Sequence, residues 1–164
     1  MKNNIAIFPG SFDPITLGHV DIINRCIKVF PNITILVSMN IEKKYMFNAE
    51  ERVTMIKKVF EKNKKISIVK YNGLTVDFCL RKNISHIVRG VRDNRDFEYE
   101  QTLSYANKAL APDIETICLF GKKENTFISS SIVKDVMKNG GNMEYFLPKE
   151  IIPYVSQKIN QQKK

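Results

Sequence analysis

A chain of 164 residues, 43% of them hydrophobic, can bury one core without disulfide or metal staples and leaves no room for a second, so residues 1–164 are read as one domain. Its three cysteines, Cys26, Cys79 and Cys118, lie far apart in apolar stretches without metal-ligand spacing, which suits buried thiols in a reducing compartment. The 26 basic and 17 acidic residues leave a formal charge of +9; no long apolar segment argues for a membrane span, and the early apolar run at Ile5 argues against secretion, so a cytoplasmic protein is expected.

Residues 5–8 read as a first strand, and Val20, Ile23, Ile27 and Phe30 recur behind it at helical spacing. Between them, Phe8-Pro9-Gly10-Ser11-Phe12-Asp13-Pro14-Ile15-Thr16-Leu17-Gly18-His19 runs through a Gly/Pro-punctuated turn to a helix start. Such a start leaves backbone N–H groups unpaired at the positive end of the helix dipole, where phosphate oxygens are favoured. Ser11 adds a hydroxyl and His19 a ring donor, while Asp13 is the only carboxylate of the segment. The same residues are also ordinary turn formers, and a histidine at a helix start is often a solvated bystander, so both readings stand at this point.

Pro31 ends that helix, and residues 33–37 form a β-branched second strand apolar enough for burial on both faces. After a polar loop carrying Lys43 and Lys44, Asn48 with Glu51 three residues on predicts a capped helix with Val53, Ile56 and Phe60 inward. Residues 66–69 read as a third strand, Asn72-Gly73 as a turn, and 76–81 as a short helix. Residues 84–88 read as a fourth strand with the structural histidine His86 at its centre, closed by Arg89-Gly90. From Asp96 a longer helix sets Tyr99, Leu103, Ala106 and Leu110 on one face until Ala111-Pro112, and residues 115–120 form a fifth strand ended by Gly121. Ser129, Ser130 and Ser131 then precede Ile132, Val133, Val136 and Met137 at helical spacing, stopped by Gly140-Gly141. Pro153 splits the last apolar stretch into a turn and a helix over 154–160.

Strands separated by helices, without hairpin signals, imply an α/β fold: a Rossmann-like parallel five-stranded sheet with helices on both faces, in a single domain. In such sheets the functional loops leave the carboxyl ends of strands, so residues 11–19, Lys43, 89–92 and 125–131 are expected to converge. Lys57, Lys58, Lys62, Lys64 and Lys65, with Lys158, Lys163 and Lys164 in the tail, read as solvated charge, whereas Lys43, Lys44, Arg89 and Arg92 fall at predicted strand ends. Neither Gly-x-x-x-x-Gly-Lys-Ser/Thr nor Gly-x-Gly-x-x-Gly follows the first strand, which weakens kinase-like and dinucleotide readings. No zinc-finger spacing, Arg-rich run or RNA-binding signature accompanies the positive charge, so no nucleic-acid partner is expected.

With Thr16-Leu17-Gly18-His19, the chain resembles the (H/T)-x-G-H nucleotidyltransferase superfamily. Within it the chain is similar to the bacterial phosphopantetheine adenylyltransferase family. The likeness covers nearly the whole chain through Pro9-Gly10-Ser11-Phe12-Asp13-Pro14, Lys43-Lys44, Met46-Phe47, Glu50-Glu51-Arg52, Arg89-Gly90-Val91-Arg92, Asp96-Phe97-Glu98-Tyr99-Glu100 and Phe127-Ile128-Ser129-Ser130-Ser131. The resemblance implies reversible transfer of an adenylyl group from ATP to 4′-phosphopantetheine, giving dephospho-coenzyme A and pyrophosphate. It makes His19 the transition-state stabiliser, with Lys43 and Arg92 beside it in the chemistry. ATP would meet Ser11, Phe12, His19, Gly90, Val91, Arg92, Glu100, Asn125, Thr126, Phe127, Ile128, Ser129, Ser130 and Ser131, and the acceptor Ser11, Lys43, Thr75 and Arg89. Ser11 stands where threonine is frequent, Thr75 where an apolar residue is usual, and Asn125-Thr126 where an aromatic-first pair is common. The likeness further implies Mg2+ carried with ATP, a homohexamer of two trimers and coenzyme A as a feedback inhibitor. With no carboxylate cluster in the sequence, no protein metal ligand is expected. Sister enzymes acting on nicotinate mononucleotide, or on glycerol phosphate with CTP, share the first motif.

Overall fold

The β-branched and aromatic runs pair into one parallel sheet. The computed structural model describes residues 5–39 and 44–162; Lys43, expected at the reacting phosphate, lies outside the described residues, as do Lys163 and Lys164. The strands are β1 (Ile5–Gly10), β2 (Asn32–Ser38), β3 (Ile66–Tyr71), β4 (His86–Val91) and β5 (Glu115–Phe120), standing side by side in the order β3-β2-β1-β4-β5. The helices are α1 (Leu17–Val29), α2 (Ala49–Phe60), α3 (Thr75–Lys82), α4 (Asn94–Leu110), α5 (Ser130–Lys138) and α6 (Ile152–Gln162).

Alternation along the strands divides the core between the two faces. Ala6, Phe8, Ile33, Ile35, Val37 and Val88 pack with Ile23 and Cys26 of α1, Met55 and Ile56 of α2, Val133 of α5 and Val155 of α6. Ile7, Leu36 and Ile87 face the other way, against Val76, Phe78 and Cys79 of α3 and the Ala111 and Ile114 that follow α4. Strand β1 pairs with β2 on one side and β4 on the other, so the chain reverses its direction of travel across the sheet between β1 and β4. The crevice of an open parallel sheet forms beyond the carboxyl ends of such a strand pair.

Local signals and structure agree closely at α2. Asn48 accepts the Glu51 N–H at 3.0 Å while the Glu51 carboxylate accepts the Asn48 N–H at 2.9 Å, the reciprocal box expected from their spacing. Pro153 sits in the first turn of α6, where a missing N–H breaks no helical bond.

Three expectations are corrected. Strand β4 runs from His86 to Val91 rather than over 84–88, because Gly90 is a packing site and not a stop: a Cβ there would stand 3.1 Å from Ile22 Cγ1 of α1. His86 therefore opens the strand, its ring 5.3 Å from that of Phe30. The face of α4 carrying Tyr99 and Leu110 is exposed, and its one buried residue is Glu100. Lys158 is no free tail charge, since its Nζ pairs with Glu51 at 2.8 Å, whereas Lys57, Lys58, Lys62, Lys64 and Lys65 are exposed.

Candidate active site

The crevice begins where β1 stops. A Cβ on Gly10 would lie 2.9 Å from the Phe12 ring, so the aromatic side chain folds back over the strand end and only glycine leaves it room. Phe12 adopts a positive φ of 50°, an unfavourable backbone state for a bulky residue, offset by burial against Phe8 and by an edge contact with His19 at 5.2 Å. Thr16 caps α1, and His19 occupies the third helical position. The Thr16 N–H donates to His19 Nδ1 at 3.1 Å, and the Thr16 hydroxyl lies 3.0 Å from the same nitrogen.

A ring nitrogen that accepts a backbone N–H carries no proton, so in the neutral ring the proton belongs to Nε2, on the far side from the cap. Burial, reinforced by the charges of Arg92 and then Arg89, lowers the His19 pKa to about 4. At neutral pH His19 is thus an uncharged hydrogen-bond donor of defined tautomer, with part of its surface still open.

A second donor-rich helix start lies beside the first. The carbonyls of Asn125 and Ile128 each come within 3.9 Å of the position a Gly18 Cβ would take. Arg92 bridges to this stretch by donating Nη1–H to the Ile128 carbonyl at 3.1 Å, while Nε and Nη2 grip Asp96 at 2.7 and 2.9 Å. Ser129 caps α5 by accepting the Ile132 N–H at 3.2 Å, and the Ser130 hydroxyl donates to the Pro14 carbonyl at 3.0 Å. Asn125 ends a short 3₁₀ turn, the Thr126 hydroxyl donates to the Lys123 carbonyl, and Phe127 and Ser131 are exposed.

Arg89 is held from two sides, donating Nε–H to Glu100 at 2.7 Å, a second N–H to the same carboxylate, and Nη1–H to the Pro9 carbonyl at 2.8 Å. Glu100, expected among the nucleotide contacts, is 5% exposed and spends its carboxylate on Arg89. Val91 is buried, with its carbonyl taken by the Gly121 N–H. Thr75 begins α3 just past the end of β3, on the far side of β2 from the others. The structure thus brings Ser11, Phe12, His19, Arg89, Arg92 and the 125–131 stretch to one end of the sheet, with Thr75 at its edge.

Sequence reading names Thr16, Asp13 and Arg52 but gives them no part in the site. Thr16 was detectable, since Thr-x-x-His fits a capping box with histidine in the usual Glu position. Asp13 and Arg52 were not, because their partners are remote in the chain. Among the described residues no group of three or more His, Cys, Asp or Glu gathers as a metal cage. The carboxylates of Asp13, Asp96 and Glu100 each face a cation of the protein.

A parallel sheet that reverses at β1 and β4, with two capped helix starts over the reversal, is the frame of a nucleotide-handling transferase. A family model described as cytidylyltransferase-like matches residues 7–136. The phosphopantetheine adenylyltransferase of Flavobacterium psychrophilum is 47% identical over 146 residues, covering 89% of this chain and 96% of that protein. Those of Nautilia profundicola and Wigglesworthia glossinidia brevipalpis are 46% identical over 147 residues and 42% over 159, covering 90% and 97% of this chain and 96% and 95% of theirs. The chain belongs to the phosphopantetheine adenylyltransferase family. In fold it is similar to a bifunctional NMN adenylyltransferase/ADP ribose pyrophosphatase from Francisella tularensis, with a TM-score of 0.77 at 15% identity, covering 97% of this chain and half (50%) of that longer one.

Proposed function

We propose that the crevice transfers the adenylyl group of ATP to 4′-phosphopantetheine, giving dephospho-coenzyme A and pyrophosphate, as part of coenzyme A synthesis. An oxygen of the acceptor phosphate forms a bond to the α-phosphorus, the bond from that phosphorus to the bridging oxygen of the β-phosphate breaks, and pyrophosphate leaves with the electron pair. The nucleophile is already an anion, so the protein has to align two phosphates and stabilise charge rather than remove a proton. The observation that carries this reading is His19: neutral, locked by Thr16 with its proton on Nε2, in the first turn of α1.

In this reading His19 donates to an equatorial oxygen of the α-phosphate as charge grows there. Arg92 and the residues 129–131 take the remaining phosphates of ATP, with Ser11 and Phe12 forming the turn beneath both substrates and Gly90, Val91 and residues 125–128 lining the nucleotide side. Arg89, Thr75 and Lys43 serve the acceptor, and Glu100 acts by holding Arg89 in place. The hydroxyl and backbone N–H donors of the crevice suit phosphate oxygens, and with Asp96 and Glu100 paired to arginines, a magnesium ion carried with the triphosphate would supply charge neutralisation from the ligand side. None of the described helices is long and apolar enough to cross a membrane, in keeping with a cytoplasmic enzyme. The exposed aromatic and aliphatic residues of α4 and β5 support assembly of the chain into a homohexamer, and product-like coenzyme A would compete for the same crevice.

A coupled pyrophosphate-release assay tests the reaction. ATP with 4′-phosphopantetheine should give steady turnover, and ATP with nicotinate mononucleotide or CTP with glycerol phosphate should give none. Turnover with either alternative pair and not with phosphopantetheine would replace this reading by that of a sister enzyme.

A further inference from the structure

One carboxylate stands where the walls of the crevice meet. Asp13 is 2% exposed; its Oδ2 accepts the Met46 N–H at 3.0 Å and its Oδ1 the Phe47 N–H at 2.9 Å. Lys134, from the second turn of α5, donates Nζ–H to the same Oδ2 at 3.1 Å. One residue on, the Pro14 carbonyl takes the Ser130 hydroxyl at 3.0 Å. From beneath, Arg52 of α2, 1% exposed, donates Nη1–H to the Ser11 carbonyl at 2.7 Å and to the Ser38 carbonyl at 3.0 Å. The turn 11–14 is thereby tied to the end of β2, to the segment leading into α2 and to the first turns of α5.

We propose that Asp13 is a positioning residue for the transfer, setting the distance between the α5 wall and the 44–47 segment without touching substrate; the proposal rests on the adenylyl-transfer reading above. In that reading α5 holds the nucleotide phosphates, while Lys43, next in sequence to the 44–47 segment, serves the acceptor. In-line attack needs the two reacting atoms about 3–3.5 Å apart, and a displacement of about 1 Å can lower the rate on the order of 100-fold. Asp13 receives donors from both walls on one buried carboxylate, a short rigid link whose loss lets the walls drift separately. A drift of this kind lowers turnover while each substrate alone still finds its own wall intact.

The test compares Lys134→Met, Lys134→Arg, Asp13→Asn and the Lys134→Met/Asp13→Asn double variant by kcat, by KM for each substrate, by ATP affinity without acceptor, and by melting temperature. Lys134→Met is expected to lower kcat about 10-fold and Asp13→Asn about 100-fold, with ATP affinity alone changed less than about twofold. The double variant should fall no further than Asp13→Asn, and Lys134→Arg should recover most of the loss. Where Asp13→Asn does not fold, the Lys134→Met and Lys134→Arg pair decides. Wild-type kcat in folded Lys134→Met, or a weakened ATP affinity that accounts for the whole effect, overturns the role of Asp13. A wild-type protein that releases no pyrophosphate overturns the reaction reading and this inference with it.

Discussion

His19 combines two properties that oppose each other in water: it is a strong donor and it is uncharged. The enclosing protein and the neighbouring Arg92 and Arg89 lower its pKa to about 4, while Thr16 takes the acceptor nitrogen. His19→Gln removes the imidazole and its titration together while keeping an uncharged side chain, because glutamine at the third helical position can still accept the Thr16 N–H. We expect kcat to fall on the order of 100- to 1,000-fold with the fold and ATP binding retained, as when an oxyanion donor is displaced from the position the ring sets. The same variant tests the titration. Between pH 6.5 and about 4 the unfolded chain carries a proton on His19 that the folded chain lacks, so the His19 contribution to stability falls as pH drops through that window and is fully lost below about 4. The size of this effect is up to about 3 kcal/mol, and denaturant unfolding of wild type and His19→Gln at pH 7, 5.5 and 4.5 should show a shallower slope in the variant. Gly10 answers to packing instead. Gly10→Ala sets a methyl group against the buried Phe12 ring at 2.9 Å and should cost about 1–3 kcal/mol in the same unfolding measurement.

Among the elements, α4 departs furthest from its sequence pattern. Its apolar spacing reads as an inward stripe, yet the chain turns Glu100 inward to meet Arg89 on β4, and the pair joins helix to sheet below the crevice. Removing one member leaves an unmatched charge in a largely buried place, so Glu100→Ala should destabilise by about 3 kcal/mol and loosen Arg89. Replacing both, as in Arg89→Met/Glu100→Leu, should return much of the melting temperature but not the KM for phosphopantetheine. If activity returned along with stability, Arg89 would have a purely architectural part. In contrast α2 follows its local signal closely, because its cap is made between Asn48 and Glu51 without help from elsewhere.

For the whole molecule, the apolar residues that α4 and β5 leave uncovered carry the expectation of assembly. Tyr105 is 66% exposed, Leu110 60% and Phe120 66%, large apolar side chains open to water on α4 and at the end of β5 that assembly would cover. Sedimentation of the full chain should give a species near six times the 19.0 kDa protomer, and Tyr105→Glu/Leu110→Glu should shift it toward smaller species. A wild-type chain sedimenting at 19.0 kDa would rule out the hexamer. A net charge of +9 acts at this scale too, as a general attraction for polyanions that added salt screens.

What the sequence determined by itself is what short-range chemistry controls. The order and kind of strands and helices follow from apolar period, the start of α2 from its capping box, and the donor-rich helix starts from Gly10, Thr16, Gly18 and Ser129. The tertiary structure alone decided that Gly90 continues a strand because Ile22 lies over it, that Glu100 faces inward because Arg89 waits there, and that Asp13 is shared by two walls. Lys134 stands 121 residues from Asp13, and no local pattern of hydropathy or capping encodes such a pair; it exists only once the parallel sheet has brought the carboxyl ends of its strands to one edge.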